Sequence, residues 1–118
     1  MFFNTELLDN LTAQAKENPR LRQAYDFRTS PDDNSQRMLN ALEPGTIMPI
    51  HRHRNTSETM VMVRGALIER FYSLTPDPSP EGEGKMIPVL TQEFEMRAGG
   101  CVSCSTDRSR TMAFPLGA

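Results

Sequence analysis

The sequence predicts a mainly β domain, a sandwich or barrel of short strands preceded by a single helix, and three observations carry that prediction. From Arg37 onward, short apolar runs alternate with Pro-Gly and Asn-rich punctuation, and no helical period intervenes. A stretch between two glycines, Gly45 and Gly65, holds both histidines of the chain in a His-Arg-His run that suits a strand. The one clear helical stripe lies before all of this, near the N-terminus.

In chain order, Leu7, Leu8, Leu11 and Ala15 recur on one face of a helix over residues 5–17, with Asn4 or Thr5 as its cap and Pro19 beyond its end. This stripe is narrow, which fits a helix packed on the outside of a sheet or on a partner subunit. Residues 19–34 mix charges, Pro31 and the turn cluster Asp32-Asp33-Asn34 around Tyr25 and Phe27, a loop with room for one short strand. Residues 38–43, 47–53, 59–64 and 66–72 read as strands. Residues 73–85 contain three prolines and two glycines, so they form a flexible inserted loop, and their Leu-Thr-Pro-Asp-Pro-Ser-Pro-Glu-Gly-Glu-Gly resembles peptides encoded by mobile palindromic repeats in bacterial genomes. Strand character returns over residues 86–96 and stops at Ala98-Gly99-Gly100.

At 118 residues and 13.3 kDa, residues 1–118 make one domain with a modest core. A net charge of −2, a pI near 5.7 and scattered Lys and Arg give no field that attracts nucleic acid. Neither a signal-peptide pattern nor an apolar run of about 18 residues is present, so a cytoplasmic protein without a membrane partner is expected.

The chemistry concentrates between Gly45 and Gly65. In a strand, His51 and His53 project from one face and Arg52 from the other, so two imidazoles can grip one ion. The turn formers Asn55, Thr56 and Ser57 then bring Glu58 back alongside, giving three ligands for a divalent metal. Met60 and Met62 share the face of Glu58 as an apolar lining. The bland alternative is a solvated basic strand edge.

The spacing Gly45, five residues, His51, one residue, His53, four residues, Glu58, six residues, Gly65 resembles the first motif of the cupin superfamily. The run Gln36-Arg37-Met38-Leu39-Asn40-Ala41-Leu42-Glu43-Pro44-Gly45 leading to His51-Arg52-His53 resembles, more narrowly, the WbuC-type cupin-fold metalloproteins found among genes for surface-polysaccharide synthesis. The likeness covers roughly residues 5–100. It implies a jelly-roll barrel with strands over residues 36–100 and one Zn, Fe, Mn or Ni ion on His51, His53, Glu58 and a further histidine. It also implies a sugar or sugar-nucleotide substrate in O-antigen or lipopolysaccharide biosynthesis, with Arg37, Asn40 and Tyr72 as substrate-binding candidates. A homodimer is expected, the helix or first strand covering an open sheet edge. Whether the ion does chemistry or only holds strands together stays open: Glu69, Tyr72 and Tyr25 are available as acid or base.

Residues 101–118 depart from that pattern. They show neither strand alternation nor helical period, supply no third histidine, and carry Cys101 and Cys104 as a single Cys-x-x-Cys pair, a weak redox or zinc signal. Met112 can only be encoded by ATG and Ala113 begins with GC, so a reading one base later forces tryptophan. The neighbouring codons then permit the Gly-Gln-Trp-His that resembles the second motif of WbuC-type proteins. A frameshift near Gly100 is the reading that follows, with a poorly ordered tail, an incomplete barrel and an inactive truncated product as its extreme outcome.

Overall fold

The computed structural model describes residues 2–51, 56–104 and 110–115. It is mainly β with one N-terminal helix, in two compact units, one ending at Ile47 and the other starting at Met48.

In the first unit, helix α1 (Thr5–Glu17) starts where the Asn4 side chain accepts the Leu7 N–H at 3.2 Å, satisfying one of the donors that a helix start leaves over. It ends at Asn18, whose N–H reaches the Gln14 and Ala15 carbonyls just before Pro19. Leu11 and Ala15 are its buried residues. The stripe packs on a two-stranded antiparallel sheet, β1 (Arg22–Asp26) against β2 (Met38–Leu42), with Ala24 opposite Asn40. The short strand for which the 19–34 loop left room is β1. The turn at Pro44-Gly45-Thr46 closes the unit. Gly45 has φ +95°, a conformation that side-chain-bearing residues avoid, and the Thr46 hydroxyl donates to the Arg20 carbonyl at 2.8 Å.

The second unit contains β3 (Glu58–Val61), β4 (Ala66–Pro76), β5 (Met86–Arg97), β6 (Cys101–Cys104) and β7 (Arg110–Pro115). They form two small open sheets, β3 with β6 and β5-β4-β7, and no closed barrel is present among the described residues. Gly65, at φ +80°, makes the turn between β3 and β4. Leu67 and Phe71 of β4 and Met96 of β5 are the buried apolar side chains, each worth about 1.5–3 kcal/mol of burial. Phe71 meets Phe94 edge to face at 5.9 Å.

Three features differ from expectation. Of the strand expected over residues 47–53, the described part is irregular apart from a single bridge at His51, because Pro49 has no N–H for a ladder. The 73–85 segment is not a loop throughout: β4 continues to Pro76, and Asp77 closes the tip by accepting from the Ser79 N–H and hydroxyl at 3.0 and 2.9 Å. The described residues of the tail form two strands, where its sequence shows no strand alternation. Cys104 to Cys101 pair with Glu58 to Val61, and Arg110 to Pro115 with Tyr72 to Leu67. Partners already in place supply the ladder that weak alternation did not announce.

Candidate metal centre

His51 is half-buried, and its Nδ1 lies 3.0 Å from the Pro49 carbonyl oxygen. A carbonyl only accepts, so in this bond Nδ1 carries the proton, as where a backbone carbonyl orients an imidazole. His53, with Arg52, Arg54 and Asn55, lies outside the described residues. Glu58 is exposed at the head of β3, opposite Cys104 in the ladder. Met60, in β3, and Met62, just after it, are half-buried, whereas Glu58 and Val61 are exposed.

Burial alternates along β4 and puts Leu67, Glu69 and Phe71 on the inner face. Glu69 retains 5% of its accessible surface and has no hydrogen-bond or ion-pair partner among the described residues. Burial pushes its carboxyl up to about 7, and the neighbouring negative charge of Glu58 adds to the rise. Sequence reasoning had left Glu69 as one available acid among several. The signal that singles it out was the Leu-x-Glu-x-Phe alternation, which sets a carboxylate in the middle of an apolar row. A bulge follows: Phe71 faces Gln92 but Tyr72 faces Leu90, and the extra residue Thr91 donates its hydroxyl to the Phe71 carbonyl at 3.1 Å.

The other candidates fall elsewhere. Tyr72 is on the outer face of β4 with Arg70, whose guanidinium pairs with Glu93 at 2.7 Å. Arg37 and Asn40 belong to the first unit, where Arg37 pairs with Asp33 at 2.7 Å and Asn40 is exposed on β2. Tyr25 stacks edge to face on Phe27 at 5.4 Å. Cys101 is an exposed free thiol. Among the described residues no three His, Cys, Asp or Glu side chains converge as a ligand group.

A family model described as Domain of unknown function (DUF6016) matches residues 3–76. No curated protein and no solved structure matches the chain. No described helix is long and apolar enough to cross a membrane.

Proposed function

The chain belongs to the family described as Domain of unknown function (DUF6016), and from that premise we propose that it is a divalent-metal-binding protein of cupin type. Its ligands are His51, His53 and Glu58, and its ion is Zn²⁺, Fe²⁺, Mn²⁺ or Ni²⁺. The observation that carries the reading is His51: its ring is held through Nδ1 by the Pro49 carbonyl, inside a motif whose two bounding glycines both adopt the left-handed backbone such a turn demands. A bound ion would polarise a substrate oxygen or activate water.

The substrate class proposed is a sugar or sugar-nucleotide of surface-polysaccharide synthesis, resting on the likeness of residues 36–53 to WbuC-type proteins. We assign a homodimer as the working form. The outer edge of β5, where Val89, Leu90 and Phe94 remain exposed, supports association.

The test is elemental analysis of the purified full chain, followed by titration of the metal-free form with each of the four ions. One ion per chain is expected, with His51→Ala and Glu58→Gln each lowering affinity by at least about tenfold. A chain that takes up none of the four ions, and whose melting temperature none of them raises, ends this reading.

A further inference from the structure

We draw no further inference here: the strongest candidate, the partly exposed aromatic cluster of Phe3, Tyr25 and Phe27 at the end of β1 in the first unit, is an apolar surface patch, and nothing in the structure shows what covers it.

Discussion

Two polar residues are buried among the described residues, Thr46 in the first unit at 8% exposure and Glu69 in the second at 5%, and they are treated in opposite ways. The Thr46 hydroxyl donates to the Arg20 carbonyl and its N–H to the Glu43 carbonyl, so both donors are satisfied and the turn after β2 is tied to the residues before β1. Glu69 has no such partner among the described residues, and sits where its charged form is penalised both by lost hydration and by Glu58. A satisfied polar group specifies a fold. One left unsatisfied costs stability, and such sites collect where chemistry or binding compensates for the cost.

The contrast is broken most forcefully through pH. In the metal-free protein Glu69 holds its proton up to about pH 7, while in the unfolded chain it releases it near 4.5. Between those values the folded state binds the extra proton, so stability falls as pH rises, and above about 7 the penalty is constant. The window corresponds to roughly 3 kcal/mol at about 1.4 kcal/mol per unit. Urea unfolding at pH 5 and pH 8, for wild type and Glu69→Gln, isolates this contribution as the difference between the two proteins. The variant should lose less stability across the window, and the same slope in both would mean that Glu69 has a partner that neutralises it.

Thr46→Val is the counterpart. Valine keeps the volume and removes the donor, leaving the Arg20 carbonyl without its bond, at an expected cost of about 1–2 kcal/mol. Threonine has no charge to titrate, so this loss should be equal at pH 5 and pH 8. A loss that changes with pH would show that the turn is coupled to an ionising group and that the two residues differ less than their bonding implies.

Much of this contrast was legible in the sequence, unevenly. The helix was plain from the spacing of Leu7, Leu11 and Ala15 and from Asn4, because local period and capping are encoded within a few residues. For the same reason the strands expected over 38–43, 59–64, 66–72 and 86–96 have counterparts at Met38–Leu42, Glu58–Val61, Ala66–Pro76 and Met86–Arg97, the second shorter than expected and the third longer. What failed depended on partners distant in the chain. β6 and β7 acquire strand form from β3 and β4, which residues such as Arg110-Thr-Met-Ala-Phe-Pro do not announce by themselves. At the candidate centre, alternation gave the exposure of Val61 between half-buried Met60 and Met62. The weight of Glu69 did not, because burial on a face is a property of the assembled sheet, and the proximity of Glu58 joins residues of two different sheets.

The smallest effect sharpens the comparison most finely. Glu93 is the chain neighbour of Phe94, which stands opposite Glu69 in the β4–β5 ladder, so the two glutamates occupy adjacent rungs but opposite faces. Glu93 is exposed and accepts from the Arg70 Nε at 2.7 Å, and this carboxylate holds the Arg70 guanidinium above its ordinary value. Exposed pairs of this kind gain little, since water solvates the separated charges nearly as well and two long side chains must be held still. Glu93→Gln should therefore cost no more than an exposed ion pair usually contributes, and lose most of even that in molar salt. A cost several times larger would mean that the pairing of β5 with β4 depends on this contact.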